Sequence, residues 1–361
     1  MKKIINCVLC ADDNYSYAGI TMISVLKNLS NKYTAKFFIL TDNLSENTKK
    51  LFERIKKIKK CDIEYINVVP YLSLLSDVCW TNHKNNTNHH HLMSYYRLLI
   101  LEVLKDKADK CIYLDSDMII NTDLSVVYEQ VTSDKIGGSV VEIGAMQKRQ
   151  NLLKETMRLP EFKRLNVNPR AYPYFNAGFI IFNLKKCTEY KIKEQLFTFL
   201  KNNPSPPYAD QDTLNAILGQ KYRDKMVYFH PAYNVFCNPE LIRYDDAFYT
   251  EEQISEAFAS PKICHYAGVD KPWKGKKDGF YKLWWHYCRY SPWKNKYINN
   301  KTYMLKIYLF NIITLYKHTK TAHKEIYSVL DIPLWKISQK SGYREYKLFS
   351  FIPILKIKKE L

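Results

Sequence analysis

The stretch CIYLDSDMII, Cys111–Ile120, sets two carboxylates inside an apolar run. Ile112, Tyr113 and Leu114 lead in and Met118, Ile119 and Ile120 lead out, a pattern that reads as a buried strand. Asp115 and Asp117 are costly in such surroundings unless paired, hydrogen-bonded or bound to a cation. On a strand, residues i and i+2 project from one face with Cα atoms about 6–7 Å apart. The two carboxylates can therefore converge on one ion at the carboxyl end of the strand, where open α/β sheets bind ligands. Hard oxygen ligands suit Mg2+ or Mn2+. By itself D-x-D also fits a turn whose aspartates cap the next helix.

The flanking sequence supplies the sheet. IINCVLCA (4–11), AKFFILTD (35–42) and DIEYINV (62–68) are strand-like, and YAGITMISVLKNLS (17–30) has helical spacing at Ile20, Ile23, Leu26 and Leu29. Ser45 is placed to cap a second helix, in which Leu51, Ile55 and Ile58 share a face. This rhythm predicts an α/β fold with a mostly parallel sheet. SYYRLLILEVL (94–104) reads as a helix, IGGSVVEI (136–143), AGFIIFNL (177–184) and KMVYFHP (225–231) as strands, and 185–203 as one helix. The first turn, CADDNYSYAG, is acidic where a dinucleotide pyrophosphate needs glycines, which argues against an NAD site.

Composition narrows the class. The 361 residues, 46% hydrophobic and 14% aromatic, suffice for one large domain with an appendage and argue against global disorder. Nine scattered cysteines include one C-x-x-C, Cys7 and Cys10, inside an apolar run with no second pair at zinc-finger spacing. They read as buried free thiols of a reducing cytosol. The opening apolar run is too short for a signal peptide and meets Asp12 and Asp13 at once. No segment reaches the roughly 18 consecutive apolar residues of a membrane span.

Three further polar knots follow the D-x-D: YFNAGFIIFNL (174–184), YADQDTLNAIL (208–218) and CHYAGVDKPW (264–273). With ADDNY and DSD, the set FNAG, DQDTLN and HYAGVDKPW resembles, in order, glycosyltransferase family eight, the family of glycogenin and bacterial lipopolysaccharide galactosyl- and glucosyltransferases. The likeness covers about residues 1–285. It implies a Rossmann-like nucleotide-sugar-binding domain of the glycosyltransferase A type and retaining transfer of glucose or galactose from a UDP-sugar to a glycan acceptor. It also implies metal ligands at Asp115, Asp117 and His265 for Mn2+ or Mg2+, with uridine held by Ala11, Asp12, Asn14 and Tyr15. Gly268 and Lys271 would contact the diphosphate. Ser116, in the middle of the D-x-D, would line the donor site with its side chain turned from the metal. Arg97, Asn176, Asp210 and Gln211 would form the catalytic sugar pocket. The same residues have blander readings: a core histidine, a helix-surface arginine, core or capping amides, and an N-cap aspartate before TLNAIL. TNHHHLMSYYR (87–97) reads as a polar acceptor loop.

The net charge of +19 is concentrated at one end: residues 271–361 carry 20 Lys+Arg against 5 Asp+Glu. The expected division is a catalytic domain at 1–280 and a basic, aromatic, mostly helical extension at 281–361. That extension suits peripheral attachment to the anionic inner face of the plasma membrane, near a lipid-linked glycan acceptor. Binding of nucleic acid or another polyanion competes as a reading. It leaves the five ordered motifs unexplained, and no nucleic-acid partner is expected.

Overall fold

A computed structural model of the chain describes residues 2–13, 17–75, 92–143, 173–204, 206, 208–237, 248–268, 270–275 and 279–298, and the backbone of strands between 303 and 358. Two compact units emerge, 1–271 with 278–292, and 272–277 with 293–361.

The first unit alternates strands and helices as the apolar spacing predicts. In chain order it begins β1 (Lys3–Cys10), α1 (Ala18–Asn28), β2 (Tyr33–Thr41), α2 (Glu46–Glu53), β3 (Cys61–Asn67), α3 (Tyr96–Val103) and β4 (Lys110–Leu114). After a short β5 (Met118–Ile120) come α4 (Ser125–Gln130), β6 (Gly137–Val141) and β7 (Phe175–Asn183). The seven-stranded sheet runs β3-β2-β1-β4-β7-β6, completed at its edge by β8 (Met226–Tyr228). Strands β3, β2, β1 and β4 are parallel, whereas β7 runs antiparallel to both β4 and β6. Ser45 caps α2 by accepting the Thr48 N–H, the role its position predicts. The described cysteines are free and buried, and burial pushes the Cys7 and Cys10 thiols up to about 12.

Two expectations for the first unit need correction. The run 111–120 is two strands, not one. β4 ends at Leu114, and β5 joins a separate three-stranded sheet with β9 (Val235–Phe236) and β10 (Ile263–His265). The aspartates occupy the turn between them, closed by Met118 N–H donating to Asp115 O (3.3 Å). They converge because the chain bends, not because a strand alternates. The helix expected over 185–203 is also two, α5 (Leu184–Glu189) and α6 (Ile192–Asn202). Lys191 between them is left-handed (φ 51°), and the Tyr190 ring packs edge-on against Tyr222. Tertiary anchoring of Tyr190 overrides the local helical spacing.

The unit continues with α7 (Asp210–Leu214), a π-helical turn (Asn215–Lys221), α8 (Glu251–Ala259) and α9 (Tyr281–Cys288). The second unit holds α10 (Lys294–Ile298) and six strands: β11 (Tyr303–Leu309), β12 (Ile313–Lys320), β13 (Lys324–Val329), β14 (Ile332–Lys340), β15 (Tyr343–Leu348) and β16 (Ile352–Lys358). Each strand pairs antiparallel with the next. The mostly helical extension expected beyond residue 280 is therefore corrected to a β-meander preceded by short helices. β-branched and aromatic residues abound in segments such as YMLKIYL, ITLYKHTK and IPILKIK, which favours strands.

Candidate active site

Strand pairing unites parts of the site that lie far apart in sequence. His265, on β10, stands in register with Met118 of β5, and Tyr266 N–H donates to Asp117 O at 3.0 Å. Asp115 N–H donates to Gly178 O at 2.8 Å, which ties the aspartate turn to β7. Helix α1 holds the same segment from the other side. Thr21 Oγ1 lies 2.8 Å from both Ser116 O and Met118 O; Ser24 Oγ accepts Ile120 N–H, and Asn28 Nδ2 donates to Ile120 O, each at 2.9 Å. These three polar residues form a stripe at helical spacing.

Asp115, Asp117 and His265 each present a ligand atom, all within 4.8 Å of one another. His265 Nε2 stands 3.3 Å from Asp117 Oδ1 and 3.7 Å from Asp115 Oδ2, and its Nδ1 faces Asn234 Oδ1 at 3.0 Å. Two carboxylates and an imidazole nitrogen are a donor set that a six-coordinate Mn2+ or Mg2+ accepts while keeping positions for phosphate and water oxygens. Gly178 keeps the space open: a Cβ there would stand 2.7 Å from both Asp115 Oδ2 and His265 Cε1. Lys271 Nζ donates to Asp117 Oδ2 (2.5 Å) and Tyr266 O (2.6 Å). Gly268, in the loop joining His265 to Lys271, has φ +86°, a conformation that favours glycine. Burial alone would raise the Asp117 carboxyl, but the neighbouring His265 and Lys271 side chains outweigh it and hold the group well below the usual carboxylate range.

Beside this set lies a buried charge network. Arg97 Nη2 pairs with Asp115 Oδ1 (3.0 Å), and Nη1 donates to Ala177 O (2.6 Å). Tyr113, beneath the guanidinium, donates its hydroxyl to Asp115 Oδ1 at 2.7 Å. Arg97 Nε lies 2.9 Å from Asp210 Oδ2 but aims its hydrogen at Ser94 O, so that buried carboxylate oxygen receives no aligned hydrogen bond. Burial pushes Asp210 up to about 6, with Arg97 opposing and Asp115 reinforcing the rise. Ala209, just before it, adopts φ 52° and ψ −125°, a strained backbone of the kind found at functional sites. Gln211 Oε1 accepts from Asn176 Nδ2 (2.9 Å) and Ala177 N–H (3.0 Å), and Gln211 Nε2 donates to Glu142 Oε2 (3.1 Å). Asp212 is buried, with its oxygens accepting from Tyr174 OH (2.6 Å) and Tyr208 N–H (2.8 Å).

Thus Arg97, Asn176, Asp210 and Gln211 gather beside Asp115, Asp117, His265 and Lys271. Ser116 faces elsewhere, its hydroxyl donating to Cys10 O at 2.5 Å. Ala11 and Asp12 follow β1, while Asn14, Tyr15 and the three adjacent histidines lie outside the described residues.

The profile of Glycosyl transferase family 8 matches residues 6–277. The chain belongs to that family. General stress protein A of Bacillus subtilis is 26% identical over 298 residues, covering 81% of this chain and 95% of that protein. A lipopolysaccharide 1,2-glucosyltransferase of Escherichia coli is 25% identical over 311 residues, 79% of this chain and 78% of the enzyme. The solved galactosyltransferase LgtC, in complex with donor and acceptor sugar analogs, shares the fold with a TM-score of 0.64 at 20% identity, over 81% of this chain and all of that one (100%). This family 8 member is a glycosyl-transfer enzyme related to lipopolysaccharide glucosyl- and galactosyltransferases.

Several residues that shape the family 8 site carry no strong signal in the sequence. Gly178 stands within FNAG, where its neighbours attract attention first. Tyr113 reads as one more apolar strand residue. Glu142 and Asn234 fall in no motif, and Asn234 lies in a 3-10 turn (Pro231–Asn234) just past the expected strand over 225–231.

Proposed function

We propose that the enzyme transfers glucose or galactose from a UDP-sugar, with retention at the anomeric carbon, to a cell-surface glycan such as a lipopolysaccharide or lipooligosaccharide core or another lipid- or protein-linked glycan. The observation that carries this reading is the convergence of Asp115, Asp117 and His265 beside Lys271 in a family 8 chain. A divalent ion held by the three ligands would offset charge developing on the departing diphosphate. Lys271 adds a fixed cation at the same place. Asp210 Oδ2, buried and without an aligned donor, offers an acceptor for a sugar hydroxyl. Arg97 holds Asp115 and Asp210 in place. Both lone pairs of Gln211 Oε1 already accept hydrogen bonds, so its amide dipole supports an oxocarbenium-like centre better than it serves as a nucleophile. The acceptor hydroxyl then attacks from the leaving-group side and passes its proton to a phosphate oxygen. Among the described residues no helix is long and apolar enough to cross a membrane. The basic second unit suits attachment at the inner face of the plasma membrane, where lipid-linked glycans are assembled.

The test is UDP release from UDP-glucose and UDP-galactose with lipooligosaccharide acceptors, in Mn2+, in Mg2+ and in EDTA. Turnover with one hexose and a metal, lost in EDTA, is expected. Asp115→Ala, Asp117→Ala and His265→Ala should each reduce it by about 10²–10³-fold, the scale of removing a preorganised electrostatic contact. Full turnover in EDTA would overturn the metal role, and no release from any UDP-hexose would overturn the donor.

A further inference from the structure

The hydrogen bonds behind His265 form one directed chain, and two backbone amides set its direction. The N–H groups of Ala177 and Gly178 can only donate, the first to Gln211 Oε1 and the second to Asn176 Oδ1, each at 3.0 Å. The oxygen ends of both amide side chains are thereby determined. Gln211 Nε2 then meets the Glu142 carboxylate at 3.1 Å, an acceptor, and Asn176 Nδ2 meets Gln211 Oε1 at 2.9 Å. Because Asn176 presents oxygen to Asn234 at 3.1 Å, the facing atom of Asn234 must be its donor, Nδ2. Asn234 Oδ1 is therefore the atom 3.0 Å from His265 Nδ1, and an oxygen in that place requires an N–H opposite it. In the neutral ring, the form that can bind a cation, Nε2 is then the nitrogen that keeps its lone pair, and it faces Asp115 and Asp117. Every link is buried or half-buried, where an unmade hydrogen bond is costly.

We propose that Asn234 is a positioning residue for the metal centre. It holds neutral His265 in the Nδ1–H tautomer that presents Nε2 to the cation, with its own polarity imposed through Asn176 and Gln211 by the amides of Ala177 and Gly178 and anchored at Glu142. The proposal rests on the metal reading above. Partners of this kind behind a ligand histidine fix its tautomer and ring orientation, and their loss lowers metal affinity by about 10–100-fold.

Two measurements on the full chain test it. Two-bond 15N–1H correlation spectra of metal-free protein labelled at histidine, with His265→Ala to assign the signal, report the tautomer. Electron paramagnetic resonance of free Mn2+ at saturating UDP reports affinity. The wild type should show His265 protonated at Nδ1. Asn234→Leu should move the proton to Nε2 and weaken Mn2+ binding about 10–100-fold. Asn234→Asp, which keeps an acceptor at Nδ1, should retain the tautomer and most of the affinity. An Nε2–H tautomer in the wild type overturns the proposal even if the variants misfold, as does wild-type Mn2+ affinity in Asn234→Leu while His265→Ala loses it. If His265→Ala binds Mn2+ normally, it is the metal reading that fails, and the tautomer spectrum still decides what Asn234 does.

Discussion

Gly178 and Asp210 illustrate how single residues govern this site. A methyl group at 178 would meet Asp115 and His265 at 2.7 Å, inside any normal contact distance. Gly178→Ala should therefore leave the fold intact but weaken Mn2+ binding at least tenfold, a loss of about 1.4 kcal/mol; titration of Mn2+ at saturating UDP checks it. Asp210 carries a pH signature. Its carboxyl, at about 6 in the folded chain, holds a proton that the unfolded chain releases near its ordinary value of 3.8. The stability from that proton is present in full below the unfolded value and is lost as pH rises through about 6. Asp210→Asn has no such titration. In metal-free protein, the stability difference between Asp210→Asn and the wild type should shift toward the variant by about 1 kcal/mol between pH 5 and 7.5. Urea unfolding at the two pH values measures this, and a flat difference would refute burial as the cause.

At the scale of elements, the site depends on α1 gripping the bend between β4 and β5. Thr21, Ser24 and Asn28 reach three carbonyls and an amide of the segment 116–120. Thr21→Val keeps the shape of the side chain and removes the hydroxyl, leaving Ser116 O and Met118 O without that donor. The expected result is a loss of about 1–2 kcal/mol in unfolding free energy, with turnover reduced through the loosened aspartates. Equal stability of variant and wild type in urea would show that the grip is redundant. The stripe Thr-x-x-Ser-x-x-x-Asn was visible in the sequence at helical spacing, yet nothing local marked it as facing a strand rather than solvent. By contrast, the Ser45 cap was legible because its bond partner, the Thr48 N–H, is three residues away.

For the molecule as a whole, the contrast lies between a nearly charge-balanced first unit and a basic second one. Full-length protein should co-sediment with phosphatidylglycerol vesicles at low salt, be released by salt and ignore neutral vesicles; a chain ending near residue 292 should stay in the supernatant. Full-length protein that stays soluble beside anionic vesicles would remove the membrane role. Residue order alone carried the alternation of strands and helices and the buried thiols, because each depends on spacing within a few residues; the order of its motifs, through a family resemblance, pointed to Asp115, Asp117 and His265, which the fold brings together. It did not carry the bend that brings Asp115 and Asp117 together, the break at Lys191 or the β-meander at the end of the chain. Nor did it mark Asn234 and Glu142, whose significance comes from partners 31 and 69 residues away. Such contacts depend on which strands pair and which helices pack. That choice is made by burial of the whole core, and only the folded chain displays it.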